Sequence, residues 1–315
     1  MTRYLLRRAG QSLVVVLLVS IITFALLHLL PGGAARAELG VRANPATIRA
    51  FNVANGYNRA FPIQYWDYLD RLVHGNLGFS YKTNEPVATL LAQDLPKSAY
   101  LSGLALVLTV LIAVPLGIYQ AVRRNKVDDY LLTSASFVGY SMPTFWLGLL
   151  LIAVFSVYAR WLPPAAPQAA TVGGAITDPK AMVLPVVTLT IVGVASFSRY
   201  MRSAAIEALA QDYIRTARAK GATRRGVLLG HMLRNAILPI VTLLGLSVPM
   251  LVSGNLVTES VFNYPGVGLL FWNAAQTRDY PTLLALTLIV AILTVVGNLV
   301  ADLAYSVIDR RVRLG

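Results

Sequence analysis

The stretch DYIRTARAKGATRRGVLLGHMLRN, residues 212–235, is basic, has the periodicity of a helix and carries Gly221 near its middle. Apolar residues upstream of Gly221 recur at the spacing of one helix face. They are Ile206, Leu209, Ala210, Tyr213, Ile214 and Ala217. A glycine commonly supplies the left-handed residue that ends a helix, and Thr223 can cap a second helix from Arg224. The second helix has Val227, Leu228 and Met232 as its apolar residues. The stretch therefore predicts helix, turn, helix.

Both sides of this stretch are strongly apolar, and so is most of the chain. Of 315 residues, 56% are hydrophobic and 13% are charged, and the mean hydropathy is +0.62. A soluble globular chain is far less apolar, so the composition indicates a membrane protein. A helix needs roughly 20 residues to cross the hydrocarbon core. Six apolar segments are candidates: 9–30, 99–122, 133–158, 183–200, 236–258 and 282–307.

The six segments predict an all-α polytopic protein in three parts. Residues 1–30 hold the N-terminal end and the first span, and residues 31–98 form a helical region outside the membrane. Residues 99–315 form a five-helix core whose largest loop lies at about 201–235. The first segment could instead be a secretory signal, but its apolar run exceeds the roughly 7–15 residues of a signal core. The chain has no cysteine, which excludes disulfides and thiol metal sites.

Lysine and arginine positions predict the orientation of these spans. With both termini inside, three basic residues precede the first span, three lie in the first inner loop, eight in the large loop and three after the last span. That places 17 of the 27 on the cytoplasmic side. The net charge of +13 then reflects topology and attraction to anionic lipid, and a nucleic-acid partner is not expected.

Two basic residues lie at an unfavourable place in the large loop. Arg224 and Arg225 occupy the first turn of the predicted second helix, where the helix dipole disfavours cations. One interpretation is a surface helix held to the bilayer by basic residues. The other is a helix pair that docks in a groove on a cytoplasmic partner. Periodicity and charge alone leave both interpretations open.

The loop resembles the EAA loop of ABC-importer permeases, most closely the form found in dipeptide and oligopeptide permeases. Ala217, Gly221 and Leu233 match that pattern. Four positions depart from it: Arg215 replaces Glu, Thr216 replaces Ala, His231 replaces Ile and Arg234 replaces Pro. The departures indicate a subfamily and leave the role of the loop in place.

Three further stretches resemble the same family. They are GYSMPTFWLG (139–148), VTESVFNYPGVG (257–268) and RDYP (278–281). Pro143 can bend a membrane helix, and Pro265 with Gly266 predicts a tight turn at the outer face. Glu259 could line an outer gate, or its carboxylate could hydrogen-bond within the turn at residues 264–266.

The resemblance implies a type I importer permease in the bacterial inner membrane. Such a subunit forms half of a pore with a second homologous permease, rests on two ATPase subunits or one fused ATPase, and receives substrate from an extracytoplasmic binding protein. Its loop at residues 215–234 would be the coupling helix. No phosphate-binding loop occurs, so ATP and Mg²⁺ belong to partner subunits, and no cofactor, metal or catalytic residue is expected in this chain. Peptides are the implied substrate, with nickel or glutathione as alternatives.

An ion-coupled secondary transporter is the rival class. Such carriers keep ionisable groups deep in the membrane. Here His28, Glu259 and Asp302 all fall near the ends of apolar segments, which favours the permease subunit. No cluster with catalytic or metal-binding spacing suggests an intramembrane enzyme.

The region outside the membrane also carries helical patterns. Its clearest one places five apolar residues on one face, and residues 74–76 end that helix. The five are Tyr65, Trp66, Leu69, Leu72 and Val73. Asn84 could cap the next helix, with Pro86 in its first turn.

Overall fold

The computed structural model describes residues 2–28, 33–40 and 42–308, and most of these residues are helical. The helices are α1 (Thr2–His28), α2 (Gly33–Leu39), α3 (Pro45–Ala54), α4 (Phe61–Val73), α5 (Val87–Val122), α6 (Val127–Ser141), α7 (Thr144–Leu151), α8 (Val172–Thr177), α9 (Pro179–Leu209), α10 (Asp212–Ala219), α11 (Leu233–Ala236), α12 (Leu238–Ser253), α13 (Leu256–Val261), α14 (Val267–Thr277) and α15 (Tyr280–Ile308). Two π-helical segments are π1 (Ile152–Tyr158) and π2 (Gly226–Met232). Within these ranges the only β-pairing is an isolated bridge between Phe79 and Pro86.

Long apolar helices account for most of the predicted spans. α5, α9 and α15 are long and apolar enough to cross a membrane as single helices. Two bent helix pairs have the length and apolarity of a span when each is taken as one segment: α6 meets α7 and π1 at 104°, and the π2–α11 segment meets α12 at 45°. The first predicted span corresponds to α1, whose apolar part is Gly10–Leu26. The number of spans therefore stays a prediction, whereas the all-helical membrane fold is confirmed.

Pro143 lies at the sharper of these bends, as its sequence context predicts. It is the residue before α7, and α7 begins at Thr144 after the break that follows Ser141. Proline has no N–H to donate and restricts the residue before it, so the helix cannot continue through this point. The predicted segment 133–158 is therefore two helices in two directions.

The centre of the bundle is the contact between α5 and α9, which run parallel and close together. A methyl group on Gly117 of α5 would lie 2.6 Å from the Cβ of Met201 on α9. A methyl group on Gly193 of α9 would overlap the side chain of Thr109 on α5. Glycine at both points allows this approach, because any larger residue would push the helix backbones apart.

The bundle has two ends, which we name by their contents. The loop end holds residues 212–235, and the far end holds the starts of α5 and α15 together with α2, α3 and α4. At the far end α4 packs on α1: the Phe24 ring lies 5.4 Å from the ring of Tyr68, and the Ser20 and Tyr65 hydroxyls are 2.6 Å apart.

At the far end the predicted helix forms and ends at Val73, with His74 as its C-cap, whereas the predicted cap at Asn84 is wrong. The predicted face of α4 is divided, because Tyr65 and Leu72 are half-buried whereas Trp66 and Val73 are 71% and 85% exposed. Asn84 does not cap α5: it takes a left-handed conformation (φ 57°), and Pro86 is the residue that precedes the helix. The buried residue of α4 is Tyr68, which a five-residue apolar pattern does not single out.

Candidate functional site

The helix pair of residues 212–235 forms as predicted, but its first helix is shorter. A single helix through residues 206–217 is wrong, because α9 ends at Leu209 and α10 begins at Asp212. The intervening turn brings Ile214 and Ala217 back against Ala205 and Ala208 of α9. A straight helix would carry those two apolar residues past the end of the bundle. Burial of Ile214, whose side chain has no exposed surface, therefore decides the break.

Gly221 and Thr223 fill the positions that the sequence indicates. Gly221 has φ +80°, its N–H donates to the Arg218 carbonyl, and the N–H of Ala222 donates to the Ala217 carbonyl. This pair of bonds is the Schellman ending of a helix. The Thr223 hydroxyl accepts from the Gly226 N–H at 3.2 Å and caps the second helix, which starts at Arg224. That helix continues in π geometry over Gly226–Met232, which periodicity does not predict.

One face of the helix pair is packed into the bundle. Ile214 and Met232 are fully buried, and Ala217 and Val227 nearly so. Their partners include Met201 on α9 and Ala121 on α5. The pair is thus fixed to the two central helices by apolar contacts, so a displacement of the loop moves the ends of those helices with it.

The opposite face is exposed and basic. Of the residues carried over from the family resemblance, Ala217 and Leu233 lie on the packed side, whereas the remainder are exposed: Arg215, Thr216, Gly221, His231 and Arg234. Leu229 lies on this same helix pair and is 62% exposed. Sequence reasoning missed Leu229, although an apolar residue two positions from Val227 is out of phase with the buried face. The surface can accept an acidic groove with an apolar centre.

A partly buried ion pair joins α9 to α6 near the loop end. Arg202, two turns before the end of α9, donates from Nε and Nη2 to the two carboxylate oxygens of Asp129 on α6, both at 2.7 Å. The N–H of Asn125 also donates to Asp129. A bidentate pair of this kind fixes orientation as well as distance. The sequence counts Arg202 only as a topological charge, so its structural role was not foreseen.

Glu259 at the far end is fully buried and does not line a gate. Its Oε1 accepts from the Ser98 hydroxyl at 2.8 Å and from the Asn255 N–H at 3.0 Å. Its Oε2 accepts from the N–H groups of Gly268 and Leu269 at 2.7 and 3.2 Å. Burial raises the pKa of this carboxyl, and the hydrogen bonds oppose that shift. The structure therefore favours the hydrogen-bonding alternative, with donors just beyond the predicted turn.

The turn at Gly266 has a different cause from the one predicted. Gly266 has φ −127° and ψ −177°, an extended conformation open to any residue, and the left-handed residue is Asn263 with φ 50°. Glycine is required by space: a methyl group on Gly266 would lie 2.5 Å from Oε2 of Glu259. Pro265 is half-buried beside it. The glycine therefore makes room for the buried carboxylate.

A cavity of about 490 Å³ lies in the bundle between these two sites. Its polar lining residues are Ser102, Thr109, Tyr140, Thr144, Ser196, Ser247 and Asn255. Among the described residues, none that lines it is charged. The Asn255 amide donates to the Ser102 hydroxyl at 2.6 Å, and the Asn255 N–H is held by Glu259. Sequence reasoning missed this cavity, because its polar residues come from α5, α9, α12 and the helix bends.

Of the remaining ionisable candidates, His28 is the one whose side chain the structure describes. His28 lies at the far end, with Nδ1 2.8 Å from the Phe24 carbonyl and Nε2 2.8 Å from Oε1 of Gln64. The side chain of Asp302 and residues 309–315, with three of the basic residues that predict topology, lie outside the described part. Among the described side chains no three His, Asp or Glu residues are placed to hold a metal ion.

Comparison with known protein families shows which family this chain belongs to. The family model described as "Binding-protein-dependent transport system inner membrane component" matches residues 113–314, and the model for the N-terminal part of such components matches residues 1–102. The chain belongs to this permease family. It is an inner-membrane transport subunit, and the resemblance carried by the loop is confirmed.

Relatives of the permease match along its whole length. It is 37% identical to the oligopeptide transport system permease protein AppB of Bacillus subtilis (strain 168), over 99% of both chains. It is 35% identical to the glutathione transport system permease protein GsiC of Escherichia coli (strain K12), also over 99% of both. A solved structure of the MetNI methionine ABC transporter matches with a TM-score of 0.54 and 17% identity, over 70% of the permease and 97% of that chain. This last match shows the fold.

Proposed function

We propose that this permease forms half of the translocation pore of an ABC importer for peptides, and that residues 212–235 couple it to an ATPase. The observation that carries the proposal is the two-sided helix pair. Its inner face is fixed to α5 and α9 by buried apolar residues, while its outer face presents arginines around Leu229. Such a surface suits a helix-in-groove contact on another subunit.

Hydrolysis belongs to that other subunit, since the chain has no phosphate-binding loop. The loop end then faces the cytoplasm, in agreement with the distribution of basic residues. The complete assembly contains a second permease, two ATPase subunits or one fused ATPase, and an extracytoplasmic binding protein. Mg²⁺ and ATP are bound by the ATPase.

The membrane cavity supports a peptide substrate. Its hydroxyl groups and the Asn255 amide can pair with peptide N–H and C=O groups, and the absence of lining charges avoids selection by side-chain charge. Its volume of about 490 Å³ admits a short peptide. One relative is named for oligopeptides and another for glutathione, which is a tripeptide, so both names share this chemistry. A glutathione importer is the second candidate.

The test is reconstitution of the complete transporter with its binding protein. The expected result is ATP hydrolysis that rises when a loaded binding protein is added, with accumulation of labelled peptide inside the vesicles. The permease alone should show no saturable Mg²⁺-dependent ATP binding; such binding would contradict the assignment. Competition between a tripeptide series and glutathione for uptake separates the two substrates.

A further inference from the structure

Helix α4 at the far end presents three different faces. At about 3.6 residues per turn, one face packs on α1 and contains Tyr65, Tyr68 and Leu72. A second, apolar flank contains Pro62, Trp66, Leu69 and Val73. A third, polar flank contains Asp67, Asp70, Arg71 and the following residue His74. A helix of this kind can contact the protein with one face, an apolar medium with the second and water with the third.

Contacts of α4 and of the segment that follows it place this helix relative to the membrane helices. Phe24, near the outer end of the apolar part of α1, has its ring 5.4 Å from the rings of Phe61 and Tyr65. After α4 the chain reaches the start of α15, where the Ser80 hydroxyl donates to Asp279 at 2.5 Å. The first half of α4 therefore lies where α1 leaves the apolar layer, and the chain that follows α4 lies where α15 enters it, which places α4 near the boundary of the bilayer.

The polar flank lines a large cavity at this end. The cavity has a volume of about 1030 Å³, and Asp67, Asp70 and Arg71 are among its lining residues, whereas Trp66 and Val73 are not. The apolar flank therefore points away from that cavity. Trp66 remains 71% exposed and Val73 85% exposed.

We propose that α4 is an interfacial helix that inserts its apolar flank into the membrane leaflet at the far end. The exposed apolar surface of α1 reaches the level of α4, since Ile22 and Leu26 are both more than half exposed on either side of Phe24 in sequence. Tryptophan is the side chain enriched at the membrane–water boundary, and interfacial helices bury their apolar side by about 5–10 Å. The insertion holds residues 42–86 at a fixed height above the pore mouth.

The cysteine-free sequence provides a direct test. Single cysteines are placed on the apolar flank (Trp66→Cys, Val73→Cys) and, as matched controls on the same helix, on the polar flank (Asp70→Cys, His74→Cys). Each variant is spin-labelled in the complete transporter and reconstituted in phosphatidylethanolamine–phosphatidylglycerol vesicles without binding protein. Collisions with lipid-soluble oxygen and with an aqueous nickel chelate are then measured.

Labels at 66 and 73 should collide mainly with oxygen, and labels at 70 and 74 mainly with nickel. Equal nickel access on both flanks would overturn the proposal. So would nickel access at 66 and 73 that disappears only when binding protein is added, because the flank would then dock a protein. If Trp66→Cys fails to assemble, Val73→Cys decides, since its side chain is almost free of contacts with the chain.

Discussion

Two glycine turns, one at each end of the permease, need glycine for opposite reasons. At the loop end Gly221 has φ +80°, and an added methyl group would have no atom within 4 Å. At the far end Gly266 has an extended backbone, but a methyl group there would overlap Ser98 and lie 2.5 Å from Glu259. The first glycine is required by the backbone and the second by its surroundings.

The difference distinguishes an exposed turn that can contact another subunit, at Gly221, from a buried turn that holds helices together, at Gly266. The turn at Gly221 projects from a packed helix pair into open space, which leaves room for another subunit. The turn at Gly266 closes over a carboxylate that joins α5, α13 and α14, since Glu259 accepts from Ser98, Asn255 and Gly268. We therefore expect substitutions at the far end to reduce folding, and those at the loop end to reduce coupling.

The largest effect is expected for Glu259→Gln. The amide would direct two N–H donors at groups that are themselves donors, and each unsatisfied buried donor costs about 1–3 kcal/mol. Membrane abundance and the melting temperature in detergent should both fall sharply. Glu207→Gln is the control, because Glu207 is exposed on α9 near the loop end. Equal stability of the two variants would show that the hydrogen bonds of Glu259 do not stabilise the fold.

Comparing Gly266→Ala with Gly221→Ala tests whether a steric clash at the far end costs more stability than backbone strain at the loop end. Overpacking a buried site costs about 1–3 kcal/mol, whereas alanine at a left-handed position costs roughly 1–2 kcal/mol with no clash. Thermal melts should show the greater loss for Gly266→Ala. Equal losses would mean that the far-end turn relaxes around the methyl group.

Gly221→Glu tests whether open space at the loop end is used by a partner. The variant should insert and fold, because the local strain of about 1–2 kcal/mol does not reach the bundle core. It should recover less ATPase on copurification and lose most substrate-stimulated hydrolysis, with Gly221→Ala milder. Normal uptake by the Glu variant would refute the coupling role, and failure of insertion would assign the glycine to the fold.

Leu229→Asp is expected to have the smallest effect. Loss of one exposed apolar contact and addition of a like charge to an acidic groove should weaken ATPase association by about 1–2 kcal/mol, or roughly tenfold. Leu229→Met should bind normally. The measurement is ATPase affinity in nanodiscs. Unchanged affinity would show that Leu229 does not contribute and that the arginines alone form the contact.

Patterns confined to one helix could be read from the sequence. The ending at Gly221, the cap at Thr223, the bend at Pro143 and the burial of Val227 and Met232 depend on nearby residues and a period of 3.6. The family resemblance also came from short ordered motifs. The continuous helix through residues 206–217 was wrong because the same apolar spacing permits one helix or two.

Contacts between distant residues required the tertiary structure. The carboxylate of Glu259 meets Ser98 across 161 positions, and Arg202 meets Asp129 across 73. No local period encodes which buried donor a carboxylate will reach. The same holds for the membrane cavity, whose polar residues are sparse on every helix and converge only when five helices pack together.

The sequence by itself determined the membrane class, the helix pair and the family, because hydrophobicity, capping and motif spacing act over a few residues. The tertiary structure decided which side of each segment is covered. As a result Trp66 and Leu229 are exposed, Glu259 is buried among hydrogen-bond donors, and only glycine fits at position 266. Burial of a residue depends on which side chains the other helices place around it.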